Sequence, residues 1–486
     1  MQKENQKEKY SKFSFLKGAA WIAIGGFVAK ILGALYRIPL TNLIGGHGMG
    51  LYQLVYPVYC LLLTVSATGI PSSIAKLTAE RIGKEKSPLP IFKTSLRLFL
   101  IIGGIGSVFM IAVAPFLTRA QGSEEVLWGY FFLAPSVFLV SAISVFRGYF
   151  QGKNQMHPTA LSEITEQAVK VAFGLFFAKI YQENIPKAVT FLLLSVSISE
   201  IVALLFMIGI YRRSLRKEKK IKQKEVEIQR IPAHDEFENE GGMYEFNGEK
   251  IGEKIADKKE KISAKSILKL SIPVTFSAML LPLSNLLDSV LVPRLMGAYA
   301  EDAVALYGLF AGGAVTIINL PVSVCYGIAA ASIPSIASAK NPRKKIFFSL
   351  FITVLVALPS AVALYFFAEP AVKIIFRSLS STEQNILTKL VKIFSVSALT
   401  LSCVQTTSAC LTAQGKPQHA VISMMVAVTV KTLIYVALLK RENISIFGLA
   451  YATNICYLVA FFIDLLYNLR VSKIHVTKNE KKEEIT

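Results

Sequence analysis

Apolar runs long enough to cross a bilayer recur from one end of this chain to the other, and they restrict its fold more than any motif does. A helix needs about 20 apolar residues to cross the hydrocarbon layer. Twelve such stretches are expected, with cores near 18–42, 51–76, 94–117, 126–148, 158–180, 189–211, 267–293, 304–336, 346–368, 385–412, 418–439 and 444–468. The composition agrees. Of the 486 residues 53% are hydrophobic and only 17% charged, against about 25% charged in soluble domains. The chain therefore reads as an all-α polytopic membrane protein. Prolines such as Pro57, Pro135 and Pro359 fall inside the spans, where neighbouring helices can satisfy the freed carbonyls.

The start, "MQKENQKEKYSKFSFLKGAAWIAIGG", is basic and then apolar. Its apolar run exceeds the core of about 7–15 residues in a secretory signal, so it is read as an uncleaved first span. The net charge of +21 does not indicate nucleic acid, because the basic residues lie between spans rather than on a folded basic domain. All 5 cysteines sit in apolar stretches without C-x-x-C spacing and are read as packing residues.

Lysine and arginine orient the spans. "KNPRKK" (340–345) carries four positive charges and "TNLIGGHGMG" (41–50) none, which places both termini and 340–345 in the cytoplasm. Four segments follow. Residues 1–211 form an N-terminal six-helix lobe, 212–265 a charged and partly helical cytoplasmic linker, 266–470 a C-terminal six-helix lobe, and 471–486 a cytoplasmic tail. The halves echo each other. "FQGKNQMHPTA" (150–160) follows the fourth span and "AQGKPQHAVIS" (413–423) the tenth. An even number of spans per half gives both copies one orientation, related by an axis along the membrane normal. Two pseudo-symmetric lobes around a V-shaped central cavity are expected, with substrate bound between them and access alternating as they rock.

Ionisable residues inside spans are the candidate site. Lys30 and Arg37 are seven residues apart on the first span, which puts them on one face and about 10 Å apart along the axis. A charge in hydrocarbon costs at least about 2.5–3.5 kcal/mol, so this face should look into protein or water. One reading is a cationic strip lining the cavity; the other is snorkelling or a structural ion pair. Asp288, on the corresponding helix of the second half, could pair with Arg37 or receive a coupling cation. Glu163, Glu166 and Lys170 lie on the fifth span, Glu200 on the sixth and Lys431 on the eleventh. Glu166 and Lys170 are expected to pair at i,i+4. Asp464 is placed at the cytoplasmic interface, and Arg147, Lys153 and Lys416 on cytoplasmic turns, where they could hold a phosphate head group. No P-loop, H-E-x-x-H, G-x-S-x-G or acidic sugar-transfer motif occurs. The chain is read as no enzyme and as needing no cofactor apart from a coupling cation, Na⁺ or H⁺.

"KILGALYRIPLTNLIGGHGMGLYQLVYPVYCLLLTVSATGIPSSIAKLTAE" (30–80) and "FRGYFQGKNQMHPTALSEITEQAVKV" (146–171) resemble the stage V sporulation protein B group of polysaccharide biosynthesis proteins. That group stands with the MurJ-type lipid II flippases in the multidrug/oligosaccharidyl-lipid/polysaccharide exporter superfamily. The resemblance implies a bacterial plasma-membrane flippase that exports an undecaprenyl-pyrophosphate-linked saccharide, such as lipid II or a spore-cortex precursor. Lys30 and Arg37 resemble cationic residues on the first helix of the flippases, where Arg suits pyrophosphate through its bidentate fork. The expected partners are the lipid-linked oligosaccharide, membrane lipids and nearby cell-wall synthesis proteins, with the chain acting as a monomer. The alternatives are a cation-coupled drug or metabolite antiporter on the same fold, a glycan polymerase or ligase, and a non-transporting scaffold.

Overall fold

A computed structural model describes residues 2–67, 69–84, 86–230, 264–337 and 342–483, with side chains described mainly between 28 and 470. The first two spans form a single element. Helix α1 (Gln2–Ala67) breaks only at Gly45, whose φ of 68° and ψ of −174° lie where a side chain would be strained. Residues 43–50, expected as an open loop, are helical on both sides of that break. Their glycines serve close approach instead. A Cβ on Gly50 would stand 2.0 Å from the Val304 carbonyl oxygen, and one on Gly308 would stand 2.2 Å from that of Gly46.

The chain continues through α2 (Gly69–Gly83), α3 (Leu89–Ala120), α4 (Leu127–Gly152), α5 (His157–Ile180) and α6 (Ile185–Arg230), which complete the first lobe. The second lobe begins with α7 (Ala264–Met296) and α8 (Ala303–Gly308). A wide π-type turn, Leu309–Ala314, joins α8 to α9 (Val315–Ala337). Next come α10 (Pro342–Phe366), the short α11 (Ala368–Ile375) and α12 (Ser381–Phe394), which bends by 44° into α13 (Val396–Ala413). The lobe ends with α14 (Pro417–Leu438) and α15 (Phe447–Glu483).

Among the described residues, 9 helices are long and apolar enough to cross a membrane, and the bent pair α12–α13 makes 10. One of those nine, residues 31–83, holds two of the expected spans. The remaining one is α5, which Glu163, Glu166 and Lys170 make too polar to qualify alone. The twelve expected spans are accounted for, in two lobes of six. Of the expected linker, α6 extends as helix to Arg230, and 231–263 lies outside the described residues.

The repeat is visible in the turns. Asn154 after α4 (φ 57°) and Gly415 after α13 (φ 72°) both adopt left-handed backbone, and each turn leads into a helix with a proline at its first or second position, Pro158 or Pro417. Large apolar side chains such as Ile105 and Phe116 on α3, and Phe347, Phe351 and Leu355 on α10, point outward, as a lipid-facing surface requires.

An even number of crossings puts both termini on one face, and the lobes meet tightly at the opposite, distal face. Asn42 donates to the Ile375 carbonyl (2.7 Å) and accepts from the Ser378 amide (3.1 Å). Glu383, which completes a capping box with Ser380 on α12, also accepts from the Gly46 amide (3.2 Å). His47 Nδ1 stands 2.7 Å from Oδ2 of Asp302, the residue that caps α8, and Nε2 stands 3.8 Å from Glu125.

The hydrogen bond that His47 donates to Asp302 raises the imidazole above its ordinary 6.5, against an opposing effect of burial. Burial pushes the Asp302 carboxyl up, but His47 and the Ala305 amide outweigh it and hold the group below 3.8. The histidine share of this stabilisation is fully present below 6.5 and is lost as pH rises through the raised value. The aspartate share is present above 3.8 and is lost as pH falls through the depressed one. The thermal midpoint of the wild type should therefore exceed that of His47→Gln by most between 3.8 and 6.5, and the gap should close on the alkaline side. A gap that does not change with pH would show that the contact carries no charge.

Candidate functional site

Between the lobes, in the half of the molecule nearer the termini, lies a cavity of about 670 Å³. The α1 limbs, α4, α5 and α6 form one wall, and α9 and α13 the other. Every ionisable carboxylate or cation on the described walls belongs to the first lobe: Arg37, Arg147, Lys170, Glu163, Glu166 and Glu200. The second lobe contributes neutral groups, among them Asn319, Ser323, Tyr326 and Gln405. The wall is thus not the purely cationic strip that Lys30 and Arg37 alone suggest. The Lys30 side chain lies outside the described residues.

The pairing within this set differs from the expectation. Arg147 is not on a turn but inside α4, where Nε donates to Ser162 Oγ (2.9 Å) and one terminal nitrogen to Glu166 (3.0 Å). Glu166 is therefore engaged across helices rather than with Lys170 one turn along. The buried Lys170 has no carboxylate within ion-pair distance among the described residues. Glu200 accepts from the Tyr59 hydroxyl (3.1 Å) through one oxygen, while its other buried oxygen has no partner among the described residues. Arg37, half-buried on α1, also has no carboxylate partner among the described residues. One paired and two unpaired cations therefore share a wall with a half-satisfied carboxylate.

Arg37 does not meet Asp288. That carboxylate is buried in the second lobe on α7, 2.5 Å from Lys431 Nζ of α14, which also donates to Ser284 (3.2 Å). The pair is internal to the lobe and away from the cavity wall. Lys153 is likewise taken up, paired with Glu218 on the extension of α6 and lying 5.3 Å from the Tyr149 ring centre. Lys416 is exposed at the start of α14. Asp464, expected at the interface, is fully buried.

The sequence reading missed the aromatic lining. Tyr52 and Tyr56 stack at 4.9 Å on the second limb of α1 and, with Tyr36, stand next to Arg37 on the cavity wall. Tyrosines in an apolar span read as packing, and only the fold at Gly45 turns them toward the arginine. The spacing Tyr52, Tyr56, Tyr59 at i, i+4 and i+7 was the available signal.

Residues 15–230 match the family described as polysaccharide biosynthesis protein. The whole chain is similar to stage V sporulation protein B of Bacillus subtilis (strain 168), 24% identical over 477 residues, covering 96% of this chain and 85% of that protein. It is also similar to the lipid II flippase MurJ of the same organism, 22% identical, covering 95% of this chain and 82% of that one. Among solved structures, an inward-facing multidrug resistance MATE family transporter of the MOP superfamily superposes with a TM-score of 0.72 at 17% identity, over 91% of this chain and 94% of that one. The chain is a multi-pass membrane transporter with this two-lobed fold, not an enzyme.

The Asp288–Lys431 pair gives a direct check on these assignments. Removing one partner of a buried pair costs about 3–5 kcal/mol, whereas replacing both by apolar groups of similar size is often neutral. Lys431→Met should sharply lower membrane abundance and thermal midpoint, and Lys431→Met with Asp288→Leu should recover most of both. No recovery in the double variant would assign the pair a role other than mutual neutralisation.

Proposed function

We propose that the chain is a flippase for a polyprenyl-pyrophosphate-linked saccharide, a peptidoglycan precursor of the cell wall or spore cortex such as lipid II. The observation that carries this reading is Arg37, which has no carboxylate partner among the described residues and is set beside Tyr36, Tyr52 and Tyr56 on the wall of the cavity. An arginine fork binds a phosphate through two parallel hydrogen bonds. Tyrosine faces and the amides of Gln167, Asn319 and Gln405 suit sugar rings and hydroxyls. The uncharged second wall lets the cargo leave when the lobes separate, because charged contacts would remain on one lobe only. The similarity to stage V sporulation protein B and to MurJ supports the same cargo class.

The membrane is proposed to be the bacterial plasma membrane, with the termini cytoplasmic and the distal face outside. The loop charges support this sense. The distal contacts then make the structure one that is closed to the exterior, with its cavity in the cytoplasmic half. A cysteine at exposed Glu124 should react with an impermeant reagent in intact cells, and one at exposed Lys344 should not. The reverse pattern would invert the topology.

A second reading, a cation-coupled antiporter on this fold, draws on Glu200 and its partnerless oxygen. One experiment separates the two. In a bacterium depleted of its own lipid II flippase, the wild-type chain should restore precursor externalisation. Arg37→Ala should abolish it at unchanged membrane abundance, since Lys431 and not Arg37 neutralises Asp288. Arg37→Lys should recover part, because the loss of a buried charged contact costs about 2–5 kcal/mol. Full export by Arg37→Ala would sink the pyrophosphate role. Loss of all transport in Glu200→Gln alongside a normal Arg37→Ala would favour the antiporter.

A further inference from the structure

Asp464 is fully buried on α15 with no cation within ion-pair distance among the described residues. An ionised carboxylate in that position is strongly disfavoured unless its charge is compensated. What surrounds it instead is a set of hydroxyls from two other helices. Ser408 Oγ on α13 lies 2.6 Å from Oδ2, Thr407 Oγ1 on α13 lies 3.3 Å from Oδ2, and Ser423 Oγ on α14 makes a very short contact with Oδ1.

Counting hydrogens is decisive here, because each hydroxyl has one to give. Thr407 Oγ1 also stands 3.0 Å from the Cys403 carbonyl and 3.1 Å from that of Val404, and Ser423 Oγ stands 2.9 Å from the Ala420 carbonyl. Two of the three hydroxyl hydrogens thus have a second acceptor within reach. When Ser423 points to the Ala420 carbonyl, its oxygen faces Oδ1 with a lone pair, and the single hydrogen of a protonated carboxyl completes that very short contact. Thr407 then turns to its own helix carbonyls, while Ser408 still donates to Oδ2. A metal ion fits this arrangement poorly. Oxygens that share a hard cation, with bonds of about 2.3–2.6 Å, stand further apart than the closest of these do.

The groups facing the site from each neighbouring element leave the proton as its ligand. On α13 there is Cys410, close enough to feel the carboxylate. On α14 there is His419, whose ring stacks at 4.3 Å on Tyr467 of α15. On α10, Arg343 shares a small cavity with Leu465 and Asn468. On α15 itself, Asn468 donates to the Thr407 and Asp464 carbonyls and accepts from Gln414. None of these forms an ion pair with Asp464.

We propose that Asp464, Thr407, Ser408 and Ser423 form a proton-binding site in the second lobe, in which the carboxyl hydrogen ties α13, α14 and α15 together. Release of the proton leaves an uncompensated charge between the three helices and loosens them. The site lies apart from the central cavity, so it does not depend on the identity of the cargo. It gives the lobe whose cavity wall is uncharged its own response to pH.

The test uses purified full-length protein and infrared spectroscopy, which resolves the carbonyl stretch of a protonated buried carboxyl. The wild type should show such a band that disappears as pH is raised from about 5 to about 8, and Asp464→Asn should lack it. Glu200 and Asp288 are present in both proteins and cancel in the difference. The thermal midpoint of the wild type should fall over the same range by more than that of Asp464→Asn, whose amide hydrogens are permanent and which keeps the pH dependence of the His47–Asp302 contact. Should Asp464→Asn fold poorly, Ser408→Ala serves instead: it keeps Asp464, and the band should persist at a shifted frequency. A wild type without the band at any pH overturns the proposal, since the carboxylate is then an ionised anchor held by three hydroxyls. So does a band that neither variant alters.

Discussion

An arginine without a carboxylate partner, part-way along an apolar helix, is tolerated only where water or a ligand reaches it. Arg37 imposes that condition on the first lobe, and much of the surrounding structure follows from it. The break at Gly45 folds the second limb of α1 back beside the first, so that Tyr52 and Tyr56 cover the flank of the arginine. Arg147 keeps Glu166 from neutralising it. The second lobe offers a neutral wall, which closes the cavity without fixing its charge. The glycines after the break then let α8 approach to backbone contact at the distal face.

The spans were legible because hydrophobicity is a local property of sequence. Even α5, too polar to pass as a span alone, is among the twelve expected spans as 158–180. The partners of the buried charges were not legible, because they depend on contacts remote in the chain. Glu166 and Lys170 stand at the spacing of a helical pair, yet Arg147 from the neighbouring helix takes the carboxylate. Asp288 was matched with Arg37 through the repeat, but Lys431 of its own lobe reaches it first. Asp464 is six residues from Arg470 in a segment that becomes charged, which is why it read as interfacial. The hydroxyls that enclose it come from α13 and α14. The residues 43–50 read as a loop for want of charge and bulk, although a single glycine makes the turn.

The two lobes divide the electrostatic work. The first lobe holds its charges on the cavity wall, where they can meet an anionic head group. The second keeps Asp288, Lys431 and Asp464 inside itself, where they bear on its own packing. The proposed recognition of substrate and the packing of buried charges thereby fall to different lobes. The interface at the distal face, through Asn42, Gly46 and His47, is one mechanical link between them.

That link must open if cargo is to pass, and this is the claim most directly open to measurement. His47 and Asp302 touch across the lobes, so cysteines at both positions on a cysteine-free background can be joined by oxidation or by a short bifunctional reagent. With the link closed, transport, read as export of the proposed lipid-linked precursor, should stop, and a reductant should restore it in the oxidised protein. Undiminished export from a fully crosslinked population would contradict alternating access through the distal face.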